Sequence, residues 1–182
     1  MSEIYEKLVK DADAYYRMLF KTGWIDEWAD SELNKLRKGL QETDEQHRVF
    51  VLSEYSLDPE GFYGAEDYKG FLVSLFRAFD IKLATENVSA ADDNAGIKLS
   101  VQVPSGKVVV YKTVQEDDWF CEDFLLDFIN DELLPEWHEE RMFFVLPPAE
   151  AQAEIVFQYP EVIDAAIENG VIPDDDYFAR SL

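Results

Sequence analysis

Residues 97–114 read IKLSVQVPSGKVVVYKTV, and this stretch decides the fold. Ile97, Leu99, Val101 and Val103 alternate with polar residues, the period of a half-buried strand. Lys107–Val114 is dense in β-branched side chains, and Pro104-Ser105-Gly106 supplies the turn between, so the two runs predict an antiparallel hairpin. Working outward, Ile81–Val88 alternates loosely and reads as another strand. Arg141–Leu146 reads as a fourth, stopped by Pro147-Pro148. Ser89–Gly96, small and acidic, reads as a mobile loop.

Helical spacing governs most of the remainder. Ile4, Leu8, Ala12, Tyr15 and Leu19 recur at steps of three and four, predicting one amphipathic helix over 3–21 that closes at Gly23. A second runs from Asp26 to Lys38, with Trp28, Leu33, Leu36 and Leu40 inward and Gly39 near its end. Gln41–His47 is a loop, and Val49-Phe50-Val51-Leu52 leans towards a strand. After the turn chemistry of Leu57–Gly61, Tyr68, Phe71, Leu72, Leu75, Phe76 and Phe79 mark an apolar helix over 65–79. Further helices are expected at 119–134, ended by Pro135, at Ala149–Phe157, and at Pro160–Asn169, with Pro160 in the first turn and Gly170 just beyond. These elements predict an α+β fold: an antiparallel sheet of about four strands with helices packed mainly on one face. One domain is expected over 1–182, its helical part at about 1–80 and its hairpin and acidic helix at about 81–182.

Charge is the outlying property. Against 16 basic side chains stand 39 acidic ones, a formal net charge of −23. Residues 1–100 carry −8 of it and 101–182 carry −15. Between Lys112 and Arg141 no Lys or Arg occurs, whereas eleven residues are Asp or Glu, with Trp119, Phe120, Phe124, Phe128 and Trp137 among them. So much aromatic surface excludes a solvated acidic tail and requires folding. The resulting negative field repels nucleic acid and suits a cationic partner, while it also serves plain solubility. A halophilic composition fits less well, since Lys outnumbers Arg and Phe reaches 13. Calcium loops need alternating oxygen ligands around a glycine turn, a spacing that Asp92-Asp93-Asn94 and Asp174-Asp175-Asp176 lack.

Recognisable chemistry is scarce. No phosphate-binding glycine loop and no G-x-S-x-G elbow occurs. Cys121 reads as a small hydrophobe beside Phe120, Phe124 and Leu125, and with His47 and His138 it has no ligand or nucleophile spacing. No catalytic residue, cofactor or metal is therefore expected. Paired carboxylates for glycoside chemistry are easy to find among 39 acids, which makes them uninformative. Glu132 stands apart because an α-helical wheel places it inside the apolar arc, where burial would raise its pKa; fraying of the last turn into solvent is the commoner outcome. No apolar run approaches the ~20 residues of a membrane helix, and the first residues lack a basic and apolar leader, so a cytoplasmic location is expected.

On the same wheel Cys121, Phe124, Leu125, Phe128, Ile129 and Leu133 fill one arc, while Asp123, Asp127 and Asp131 stack opposite at i, i+4, i+8. Like charges at that spacing destabilise a helix, and no Lys relieves them. The stripe is read as a binding face, with Glu116, Asp117, Asp118, Trp119, Asp123, Asp127, Asp131, Glu136, Trp137, Glu139 and Glu140 as candidate partner-binding residues.

Pro59-Glu60-Gly61-Phe62-Tyr63-Gly64, leading into a helix, resembles the segment by which barstar, the small ribonuclease inhibitor, enters its binding helix. The likeness is confined to that segment: after Asp67 stand Tyr68, Lys69, Gly70, Phe71 and Leu72, where such a helix offers aspartates. In general profile the chain is similar to bacterial immunity proteins. The expected function is a non-catalytic acidic binder, an immunity protein or inhibitor that neutralises a basic partner such as a nuclease toxin, present alone as a monomer or weak dimer. A small-molecule binder or carboxylate enzyme with an aromatic pocket, and an adaptor or structural subunit, are the alternatives.

Overall fold

A computed structural model describes residues 3–26, 28–93, 96–114, 117–146 and 152–174. The α+β class holds, but the strands form two antiparallel sheets of three rather than one of about four. The chain divides into two compact units, Met1–Leu57 with Phe144–Leu182, and Asp58–Phe143. The second division falls inside a strand, Met142–Val145.

In the first unit, the predicted helix over 3–21 is two helices, α1 (Glu3–Leu8) and α2 (Ala12–Lys21). Asp11 causes the break: its carboxylate accepts from the Asp13 and Ala14 N–H groups, starting a new helix where the apolar spacing alone would continue the old one. The second predicted helix is displaced to α3, Asp30–Glu42, so Gly39 lies within it; Leu36 and Leu40 are buried, Trp28 and Leu33 half-buried. Val49–Leu52 is no strand but part of a 3₁₀ turn, Arg48–Leu52, which Arg48 fastens by donating to the Leu40 and Thr43 carbonyls. Strands β1 (Tyr55–Leu57) and β6 (Ala153–Gln158) pair antiparallel, in the order β1-β6-β5 with β5 at Met142–Val145. The helix expected at Ala149–Phe157 is therefore β6 where it is described; residues 149–151 lie outside the described residues. Ile155, Val156 and Phe157 are all buried, and a central strand covered on both faces shows no alternation to distinguish it from a helix. Helix α5 (Pro160–Glu168) follows as expected, and Gly170 beyond it adopts φ +71°, where an added Cβ would lie 2.6 Å from Ile4 Cγ2.

The second unit builds on the hairpin. Strands β3 (Gly96–Gln102) and β4 (Val108–Thr113) pair as predicted, and Val103 N–H donates to the Lys107 carbonyl across the turn. The third strand, β2, is Val88–Asp93, which takes Val88 from the expected strand and Ser89–Asp93 from the expected loop; residues 94–95 lie outside the described residues. The rest of the expected strand, residues 81–87, is instead irregular up to a 3₁₀ turn at Thr85–Asn87. Helix α4 (Ala65–Ala78) agrees with the expectation and lies against β2 and β3. Ile97, Leu99, Val101, Val109 and Tyr111 point inward to α4 and to the next helical segment, where Tyr68, Tyr111, Phe124 and Phe128 interlock at ring separations of 4.8–6.2 Å. That segment, Phe124–Leu133, is a π-helix rather than an α-helix, and Leu134–Trp137 ends it as a 3₁₀ turn containing Pro135.

Candidate functional site

The acidic segment is tied to the start of α4 by backbone. Gly61 and Phe62 N–H both donate to the Asp118 carbonyl at 2.9 and 3.0 Å, and Phe120 N–H donates to the Pro59 carbonyl at 2.8 Å. Glu60 and Trp119 form an antiparallel bridge. Two local turns shape the ends: Asp58 accepts from Glu60 N–H, and Asp117 from Trp119 N–H. Beneath the bridge Phe62 is buried against Phe120, Tyr68 and Phe71 at 5.0, 5.1 and 6.0 Å. Trp119 and Tyr63 stay 51% and 76% exposed, two large aromatic surfaces close in the chain to Asp117 and Asp118 and to Asp58 and Glu60. Opposed residues of an antiparallel pair share a face, which puts the Glu60 carboxylate and the Trp119 indole on one side.

The N-terminus of α4 is already occupied by carboxylates. Asp67 accepts from Tyr63 and Gly64 N–H, and Asp92 accepts from Ala65 N–H at 2.8 Å. Gly64 permits that approach, since a Cβ there would lie 3.0 Å from Asp92 Oδ2. These donors, which elsewhere hold phosphate, are taken.

Of the candidate residues, Asp117, Trp119, Asp123, Asp127, Asp131 and Glu140 are exposed and Asp118 half-buried; Glu116 lies outside the described residues. Among the described residues no Lys or Arg pairs with Asp123, Asp127 or Asp131. Glu136 and Glu139 differ. Glu136 takes Lys107 Nζ at 2.7 Å and Ser105 Oγ at 3.1 Å, and these bonds hold its carboxyl below the usual glutamate range. Glu139 is gripped by the Arg141 guanidinium at 2.9 Å through both oxygens, with the same direction of shift. Trp137 is half-buried, donates to the Lys82 carbonyl and stands edge-on to Phe76 at 5.4 Å, so it serves packing. His138 next to it turns the chain with φ +55°.

Two positions show the register of this helix. Glu132, which an α wheel puts in the apolar arc, reaches solvent as the commoner expectation had it, but inside the continuous π-helix rather than through a frayed last turn. Asn130 is 4% exposed, and its side-chain amide both donates to the Phe143 carbonyl at 2.9 Å and accepts from Phe143 N–H at 2.8 Å. Cys121 is half-buried, with its N–H donating to the Tyr68 hydroxyl. The Tyr111 hydroxyl is buried with no well-formed hydrogen bond among the described residues, although the Cys121 and Thr113 side chains lie near it; burial pushes its pKa well above the usual range, Cys121 adds to the rise and Thr113 opposes it.

Among the described residues no three His, Cys, Asp or Glu side chains converge as a metal site would require, and no helix is long and apolar enough to cross a membrane. No protein-family model, curated protein or solved structure matches the chain.

Proposed function

We propose that the protein is a cytoplasmic, non-catalytic acidic binder of the immunity-protein or inhibitor type, which neutralises a basic protein partner such as a nuclease toxin. One observation carries this reading: Asp123, Asp127 and Asp131 stand exposed without a described basic partner, and Trp119, four residues before Asp123 in the chain, is half-exposed. Solubility alone would not require aromatic surface beside the charge, whereas an interface uses aromatic anchors with a charged rim. Both units are acidic overall, Asp58–Phe143 carrying 19 acidic and 7 basic residues and the remainder 20 and 9. A field of that size accelerates encounter with a cation, and the uncompensated arc with its aromatics would supply the docking contacts.

The test is capture from the native cell with the tagged full-length chain at low salt. A basic protein that is retained at low salt, released as salt rises, and not retained by a Trp119→Ala variant supports the proposal. Capture of no basic protein, or of one indifferent to salt, rejects it.

A further inference from the structure

The hydrogen-bond ladder of residues 124–133 decides which acids face outward. Leu134 N–H donates to the Ile129 carbonyl, five residues back, as a π-helix requires. In an α-helix the wheel advances about 100° per residue. At that step Asn130 would fall among Asp123, Asp127 and Asp131, and Glu132 would sit in the middle of the apolar arc. An i→i+5 ladder fits more residues into each turn and advances roughly 80° per residue. At the smaller step Asp123, Asp127, Asp131 and Glu132 share one narrow sector, and Phe124, Leu125, Phe128, Ile129, Asn130, Leu133 and Leu134 share the other. That is the observed division: the first four residues are exposed and the other seven buried.

A buried amide is tolerated only when its donor and acceptor are both satisfied. The Phe143 backbone satisfies both for Asn130, and it can do so only while Asn130 faces inward. The same sequence in an α ladder would expose Asn130 and turn the Glu132 carboxylate inward. The apolar residues tolerate either phase, because Phe124, Leu125, Phe128 and Ile129 lie on the inner side in both.

We propose that Asn130 is a positioning residue that locks this helix in the π register, and that the lock makes Glu132 a fourth member of the acidic arc. The part played by Glu132 in binding rests on the proposed partner face; the register does not.

The register is read without any partner. In the full-length chain with Cys121→Ala, E132C should react rapidly with a charged thiol reagent, as should the control D127C, which is outward in either register. Adding Asn130→Ala should slow the reaction at position 132 by about tenfold or more, since labelling would then await local opening, and leave position 127 unchanged. Slow labelling of E132C beside an intact Asn130 overturns the proposal, as does labelling that Asn130→Ala leaves equally fast. If the Asn130→Ala chain does not fold, through-hydrogen-bond NMR couplings in the unaltered protein decide. A Leu134 N–H coupling to the Ile129 carbonyl supports the lock, and one to the Asn130 carbonyl overturns it. Glu132→Lys is measured separately for partner affinity, so a correct register with unchanged affinity would reject only the binding face.

Discussion

From Asp123 to Glu132 the acids occupy an exposed arc with no described basic partner, whereas Glu136 and Glu139 are neutralised inside the chain by Lys107 and Arg141. The sequence presents these as one acidic run, since Lys107 lies 29 residues from Glu136 and pairs with it only after the hairpin turns. The difference teaches that an acidic run should be read by what folding brings to it. Exposed pairs such as Lys107–Glu136 contribute little stability, yet they remove charge from the field a partner would meet.

The largest expected effect separates packing from binding within the π-helix. Phe124 is fully buried and edge-on to Tyr111 at 4.8 Å, so Phe124→Ala should cost roughly 3–5 kcal/mol of unfolding free energy through the cavity it leaves. Denaturant titration measures this directly. A loss below about 1 kcal/mol would mean that the segment is not packed as described.

Charge reversal then compares the two acidic regions. Converting Asp123, Asp127 and Asp131 together to Lys should leave the denaturant midpoint nearly unchanged, because all three are exposed. Affinity for the basic partner should fall on the order of a hundredfold or more, as attraction becomes repulsion. Glu136→Lys with Glu139→Lys should do the reverse, lowering stability slightly with a much smaller effect on affinity. Equal losses of affinity from both sets would erase the distinction and leave only a diffuse field.

How far the sequence was legible follows the same division between local and distant causes. Ala65–Ala78, Pro160–Glu168 and the β3–β4 hairpin could be read because their signals are internal: apolar spacing, Pro160 at a first turn, and Pro104-Ser105-Gly106 at the reversal. Strand β6 was not legible, since Ile155-Val156-Phe157 is an unbroken apolar run whose strand character comes from β1 and β5 on either side. Strand β2 begins with Val88 but continues as Ser-Ala-Ala-Asp-Asp, poor strand formers held by pairing with β3. The exposure of Asp123, Asp127 and Asp131 was legible from their spacing, and that of Glu132 was expected from fraying rather than from a π ladder, while the burial of Asn130 had no signal in an α period.

Tyr111 tests the boundary between core and surface on the sheet side of the π-helix. Its hydroxyl is buried with no well-formed hydrogen bond among the described residues, only the nearby Cys121 and Thr113 side chains, so it contributes a desolvation cost with little return. Tyr111→Phe should therefore be neutral or stabilise by up to about 1 kcal/mol, read from the thermal midpoint. A clear destabilisation would mean that the hydroxyl is satisfied after all, with the Cys121 thiol as the first partner to examine.

The smallest effect concerns pH and the compensated acids. Hydrogen bonds from Lys107 and Ser105 lower the Glu136 pKa in the folded state, so folding favours its ionised form. The sign follows from linkage: this contribution is present above the unfolded glutamate pKa of about 4.3 and is lost as pH falls through the lower folded value. The thermal midpoint of Glu136→Gln should accordingly lie slightly below that of the unaltered chain at pH 7, and the gap should close as pH drops below about 4. Asp127→Asn is the matched control from the other region: it removes a charge that has no described partner and relieves repulsion along the arc, so it should not lower the midpoint at pH 7. If the Gln variant instead kept a constant gap down to pH 3, the stabilisation would reside in the shape of the side chain rather than its charge. The electrostatic contrast between the two acidic regions would then rest on the charge-reversal variants alone.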